Sequence, residues 1–228
     1  MTKNKEDNRL GFGEKMPSNA HETVKQAIQK LACGYRNELS SQIDKRVDEM
    51  SSDDNSHYLI YRVLGISTSE GQLIDVYQNK GRFLYKYAGS FLEEAAFLCL
   101  KNKFPNAKKQ RIPNTIGHRP KTFEIDCLIE KDAIEIKWRD ATTDGDHITK
   151  EHTRIQVIKT HGFRPIRVMF YYPNREQAIR IQETLKTTYK GVGGLYYSGD
   201  MAWSFLKEKT DINLLKILEE LANEYEGI

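Results

Sequence analysis

The chain has 228 residues, 29% of them charged and 39% apolar, with a formal net charge of +3. That length accommodates one sizeable domain with a small helical extension, and the composition is ordinary for a soluble globular protein. No apolar run approaches the ~18 residues a membrane span needs, and residues 1–19 are polar and charged rather than a secretory leader. Neither a membrane protein nor a secreted one is expected, and the expected location is cytoplasmic. Cys33, Cys99 and Cys127 are far apart, form no metal or redox motif and have apolar neighbours, so they read as buried free thiols. The mild net charge does not by itself announce a nucleic-acid partner.

Residues 1–18 lack apolar periodicity and read as a flexible arm. A helix is expected from Asn19, with Asn19 as N-cap and Glu22 at the capping-box position. Val24, Ile28, Leu31, Leu39, Ile43 and Val47 recur at helical spacing, and Gly34 is a candidate interruption. A second helix is expected over 54–64, and Ser67 with Glu70 caps a third containing Leu73, Ile74 and Tyr77. This gives a helical region, 19–86, packed on a core spanning 87–228. A helix over 87–102 opens that core. Ala88, Leu92, Ala95, Ala96 and Cys99 form its buried stripe. Glu93 lies at the edge of the stripe, where it either faces water or reaches a site on the adjacent sheet, while Glu94 points away.

The segment from Lys101 to Lys121 carries Lys101, Lys103, Lys108, Lys109, Arg111, Arg119 and Lys121 and no acid. Such a run is either a solvated face or a phosphate-contacting one. A short strand is expected over 110–112. Two strands follow in KTFEIDCLIEKDAIEIKWRD, residues 121–140. Phe123, Ile125, Cys127 and Ile129 alternate with Glu124, Asp126, Leu128 and Glu130; Ile134, Ile136 and Trp138 alternate with Glu135, Lys137 and Arg139. Period-two alternation assigns the apolar set to one sheet face and the charged set to the other. With Lys131 and Asp132 as the hairpin turn, Asp126 falls opposite Lys137 and diagonal to Glu135. Two carboxylates and an ammonium then share one patch of sheet, which is either a solvated charge ladder or a site for a hard divalent cation.

Residues 141–146 form a turn-rich loop with Asp146 a candidate N-cap. A helix over 147–161 buries Ile148, Ile155 and Ile158, which leaves Lys150, Thr153 and Arg154 on its outer side. Lys150 and Arg154, four apart, share one strip of that surface; they are either ordinary solvated charges or contacts to phosphates and a guanine edge. A buried strand over 165–172, an amphipathic helix over 174–189 with Ala178, Ile181 and Leu185 inward, a loop or short hairpin over 191–200, and helices over 201–207 and 211–225 complete the chain.

Asp126, Glu135 and Lys137 form an Asp-x8-Glu-x-Lys pattern that resembles the PD-(D/E)xK nuclease motif, with Ile125 where that motif has Pro. The order αβββαβ is similar to the core of those nucleases, an α/β fold with a mixed sheet flanked by helices. The run Gly89-Ser90-Phe91-Leu92-Glu93 is similar to the start of the helix that supplies an extra metal-site carboxylate there. The stretches FEIDCLIEKDAIEIKWRDATTDGDHITKEHTR and FRPIRVMFYYPN resemble type II restriction endonucleases of the ApaLI type. The resemblance implies a Mg²⁺-dependent enzyme that hydrolyses phosphodiester bonds in double-stranded DNA at a short, palindromic site and acts as a homodimer. It implies Asp126 and Glu135 as metal ligands, Lys137 as the residue positioning the attacking water, and Glu93 in an assisting role. Lys108, Lys109, Arg111, Arg119, Lys121, Lys150, Thr153 and Arg154 are the DNA-contact candidates. A non-catalytic DNA-binding module on the same fold, or a repair or junction-resolving nuclease, is the alternative.

Other chemistry finds less support. His147 and His152 are five apart, which breaks the i, i+4 pairing of a helical zinc site. Asp144-Gly145-Asp146 lacks the remaining ligands of a calcium loop. Gly191–Gly194 lacks the Lys and Ser/Thr of a phosphate-binding loop, so no nucleotide cofactor is expected.

Overall fold

A computed structural model describes residues 18–117, 119–139 and 145–226, with side chains for 21–117, 119–139 and 148–225. Residues 1–17 of the expected arm, residues 141–144 of the expected loop, His118 and the His147 side chain lie outside these; Asn19 and Asp146, expected as N-caps, instead fall inside helices that begin at Ser18 and Gly145. The described elements are α1 (Ser18–Ser51), α2 (Tyr58–Val63), α3 (Thr68–Lys103), β1 (Lys108–Pro113), β2 (Thr122–Ile129), β3 (Asp132–Arg139), α4 (Gly145–Thr160), β4 (Arg164–Tyr171), α5 (Glu176–Gly191), β5 (Leu195–Ser198), α6 (Asp200–Thr210) and α7 (Leu214–Glu226). The sheet is mixed, in the order β1-β2-β3-β4-β5. Its first three strands pair antiparallel and its last three pair parallel.

Two expected breaks do not occur. Gly34 lies inside α1, and residues 68–103 form one helix where two were expected. Ser67 caps α3 as its sequence suggests, accepting a hydrogen bond from the Glu70 N–H at 3.2 Å. No proline interrupts residues 68–103, and the interior Gly81 has open space around it; a single glycine costs a helix about 1 kcal/mol, too little to end it. The segment expected as a loop or hairpin instead contains β5, which pairs with β4 through Ile166↔Leu195 and Val168↔Tyr197. Gly194 permits that approach, because a Cβ there would stand 2.5 Å from the Pro165 carbonyl oxygen.

The sheet is covered on both faces. Against one face pack α3, the first turns of α1, α6 and α7, burying Ile28, Leu92, Cys99, Ile134, Ile136, Val168, Phe170, Leu206 and Leu221 together. Against the other, Val157 and Ile158 of α4 pack with Phe123, Ile125 and Leu128, and Leu185 and Tyr189 of α5 pack with Met169 and Tyr196.

The expected alternation in β2 fails at one point. Phe123 and Ile125 pack under α4, whereas Cys127 and Ile129 pack on the α3 side. The pairing with β1 explains this, since its register shifts between Lys108↔Leu128 and Gln110↔Ile125. An extra residue in one strand of a pair reverses which face the following side chains take. The irregularity falls beside Asp126.

Candidate active site

Asp126 and Glu135 are brought together by the β2–β3 hairpin, which pairs Cys127 with Ile134, Leu128 with Ala133 and Ile129 with Asp132. One more step in that register sets Asp126 beside Glu135, not opposite Lys137 as the sequence suggests. The turn consists of Glu130 and Lys131, with Glu130 at φ 53°. Asp132 is no turn residue, because long-range ion pairs hold its carboxylate in β3: Arg164 lies at 2.6 Å and Lys209 at 3.2 Å. At the site the Ile136 N–H donates to Asp126 Oδ2 at 2.8 Å.

Alternation along β3 turns Ile134 and Ile136 toward α3, so Glu135 and Lys137 face α4. Asp126 is 7% exposed and Glu135 2% exposed. Burial pushes the Asp126 carboxyl up to about 8, Glu135 and Glu93 push it the same way, and Lys137 and the Ile136 N–H only partly offset them. Burial acts on Glu135 too, but Lys137, Arg154 and Arg167 outweigh it and hold that carboxyl at about 2. Lys137 Nζ lies 2.5 Å from Glu135 Oε1. Burial lowers the Lys137 pKa, yet the attraction of Glu135 and Asp126 prevails and raises it, so the ammonium stays charged. A lysine held in its charged form can orient a water or meet negative charge rather than act as a base.

Arg154 departs from its expected outward position. Its guanidinium turns in and pairs with Glu135 Oε2, with Glu151 Oε1 at 3.6 Å from its Nε. It also lies over the Phe123 ring, 5.6 Å from the centroid. The apolar spacing of α4 fixes the helix orientation, but a long side chain at the edge of the buried face bends toward the nearest buried carboxylate.

The sequence reading omits three residues of this neighbourhood. Glu151 is buried and bonded to Arg167 Nη1 at 2.9 Å. Arg167 has no exposed surface, and the Tyr189 hydroxyl, buried beside them, has no hydrogen-bond partner among the described residues. Signals for all three exist. Glu151 lies on the inward stripe with Ile148, Ile155 and Ile158, at spacings of three, four and three. Arg167 interrupts the apolar run PIRVMFYY, and Tyr189 extends the Ile181, Leu185 series by one more turn.

Arg111, Pro120, Thr122, Phe123, Glu124, Glu135, Lys137, Lys150, Glu151 and Arg154 line a cleft of about 560 Å³. Among the DNA-contact candidates, Arg111 and Lys150 are therefore at its walls, although Arg111 Nε also donates to Glu124 at 2.8 Å. Lys109 is engaged by Glu93 at 2.7 Å. Lys108, Arg119 and Lys121 are exposed. The Thr153 hydroxyl donates to the Thr149 carbonyl within α4. Among the described residues no three His, Cys, Asp or Glu side chains converge closely enough to form a ready metal cage. The convergent donors are Asp126 and Glu135. Their oxygens suit a hard cation that retains several waters, and a cation between them would offset the burial and the repulsion from Glu135 that raise the Asp126 pKa.

A family model described as ApaLI-like restriction endonuclease matches residues 5–223 of the chain. No curated protein and no solved structure matches it.

Proposed function

Because the chain belongs to the ApaLI-like restriction endonuclease family, and DNA is therefore its substrate, we propose that it is a type II enzyme cleaving double-stranded DNA at a short palindromic site with Mg²⁺. The observation that carries this reading is the buried Asp126–Glu135 pair, of which Glu135, with Lys137 on it, lines a cleft shared with Arg111 and Lys150. In this reading Asp126 and Glu135 hold the cation. A bound Mg²⁺ would polarise the scissile phosphate and supply an activated water.

The remaining roles belong to the chain. Lys137, held charged, orients the attacking water and meets the charge developing on the phosphate. Glu93 reaches the site through its field and through Lys109, and assists from the edge. Lys150 and Arg111 grip the backbone of the duplex, and Lys108, Arg119 and Lys121 extend that basic surface along β1 and the following loop.

A palindrome cut on both strands calls for two sites related by a two-fold axis, so the active species is a homodimer. Supporting its placement on the N-terminal helices, Leu59, Ile60 and Val63 on α2, Leu64 just after it, and Leu73 and Ile74 at the start of α3 are exposed, a density of apolar surface that marks interaction faces. Sedimentation should give a dimer, free or on cognate DNA; monomer alone under both conditions contradicts it.

Incubating the protein with phage DNA and Mg²⁺ tests the function. Discrete fragments that disappear on adding a chelator are expected. DNA that is bound but uncut under all divalent ions favours a non-catalytic module on the same fold.

A further inference from the structure

Both oxygens of the Glu135 carboxylate are taken by cations, Oε1 by Lys137 and Oε2 by Arg154. A metal ion can use Glu135 only if one of them withdraws. Lys137 is the poor candidate, since it projects from β3 only two residues from Glu135, on the same face of the same strand. Arg154 comes from α4, across the cleft, and has a second docking point: Glu151 Oε1 lies 3.6 Å from its Nε, and fully buried Arg167 fixes Glu151 in place at 2.9 Å. Neither Nε nor Nη1 of Arg154 makes a well-directed hydrogen bond, although both atoms are buried. A guanidinium set between two carboxylates at the wall of a cleft has a second position within reach.

We propose that Arg154 is an exchangeable counter-ion of the metal site: it neutralises Glu135 in the metal-free protein and moves to Glu151 and the incoming DNA phosphate when a cation takes Glu135. Glu151 and Arg167 act as positioning residues that hold the place to which Arg154 moves. Charge balance accounts for the arrangement. Lys137 pairs with Glu135 and Arg167 with Glu151, so Arg154, shared between the same two carboxylates, is the cation the cluster can release. A divalent cation adds two positive charges, and releasing Arg154 toward a phosphate places the surplus where the substrate's charge arrives. Premature metal loading in the absence of DNA is thereby disfavoured. This inference rests on the proposed role of Glu135 as a metal ligand.

The test is Mn²⁺ binding to the full chain without DNA, read by electron paramagnetic resonance, so that no turnover is needed. Arg154→Met removes the competing cation and should tighten Mn²⁺ binding several-fold, while weakening duplex binding in Ca²⁺ about ten-fold. Glu151→Gln removes the second docking point and should weaken Mn²⁺ binding. In the double variant Glu151→Gln should have no further effect, because it acts through Arg154. A double variant that again loses Mn²⁺ binding would make Glu151 a direct ligand and overturn the exchange. So would Arg154→Met binding Mn²⁺ no better than the parent, with an unchanged circular dichroism spectrum. Should Arg154→Met not fold, Arg154→Gln, polar but uncharged, should show the same tightening, and unchanged binding there overturns the proposal equally. Glu135→Ala separates the two levels: if Mn²⁺ binding is indifferent to it, the metal-site assignment falls and the exchange falls with it; if binding needs Glu135 but ignores Arg154, only the exchange falls.

Discussion

The two faces of the sheet solve different problems. On the α3 side, Ile134, Ile136, Val168 and Phe170 meet Leu92, Cys99 and Leu206 in a continuous apolar layer. On the α4 side, the same strands bury Asp126, Glu135 and Arg167 against Glu151 and Arg154. Close packing of apolar groups is stabilising wherever it occurs, while taking charges out of water costs more than their mutual attraction commonly returns. One face therefore holds the fold together, and the other carries a stability cost for which DNA chemistry is the natural explanation.

Substitutions at the fully buried positions should show the contrast most strongly. Phe170→Ala, on the apolar face, should cost about 3–5 kcal/mol in denaturant unfolding through the cavity it leaves. Arg167→Ala should cost a similar amount for another reason, since it strands the Glu151 carboxylate. The paired change Arg167→Met with Glu151→Gln should recover most of that loss, as no apolar replacement at Phe170 beyond a close isostere can. A paired variant as unstable as Arg167→Ala would remove the distinction between the faces.

Asp126 sharpens the comparison through pH. Its pKa is raised in the folded protein, from 3.8 to about 8, so its contribution to stability is fully present below about pH 4 and is lost as pH rises toward 8. Asp126→Asn lacks that loss. The metal-free variant should melt above the parent at pH 8, by a few kcal/mol of stability, with the gap closing toward pH 4. Glu135 has the opposite sign: held at about 2, it stabilises above its ordinary range and loses that effect only as pH falls through 2. A gap for Asp126→Asn that grows on acidification contradicts the account.

Edge residues should matter least. Lys150→Ala should weaken binding to all DNA sequences alike and lower the salt slope by about one. Glu93→Ala should slow cleavage less than loss of Asp126 or Glu135, and full activity there would remove Glu93 alone from the site. Thermal stability should hardly change in either variant.

The residue types of the site were legible because chemistry restricts them: Asp126, Glu135 and Lys137 project from two short alternating strands that local pattern reveals. Their mutual placement was less so. The hairpin turn shifts by one residue because Asp132 answers to Arg164 and Lys209, 32 and 77 residues away, which no local pattern reports. The face change in β2 arises from an irregularity against β1 that alternation alone hides. Arg154 follows the helical period at its Cα and departs from it at its guanidinium, since a flexible side chain seeks charge where a rigid one follows geometry. The run that contains β5 is short and rich in glycine, and only its pairing with β4 makes it a strand.

In the proposed function, Asp126 and Glu135 are the cation-holding pair of a DNA-cleaving site. Cleavage of cognate duplex in Mg²⁺, measured beside binding of the same duplex in Ca²⁺, tests it most directly on Asp126→Ala and Glu135→Ala. The account predicts cleavage reduced by a factor on the order of 100 or more with duplex binding retained; near-normal cutting by either variant would contradict it.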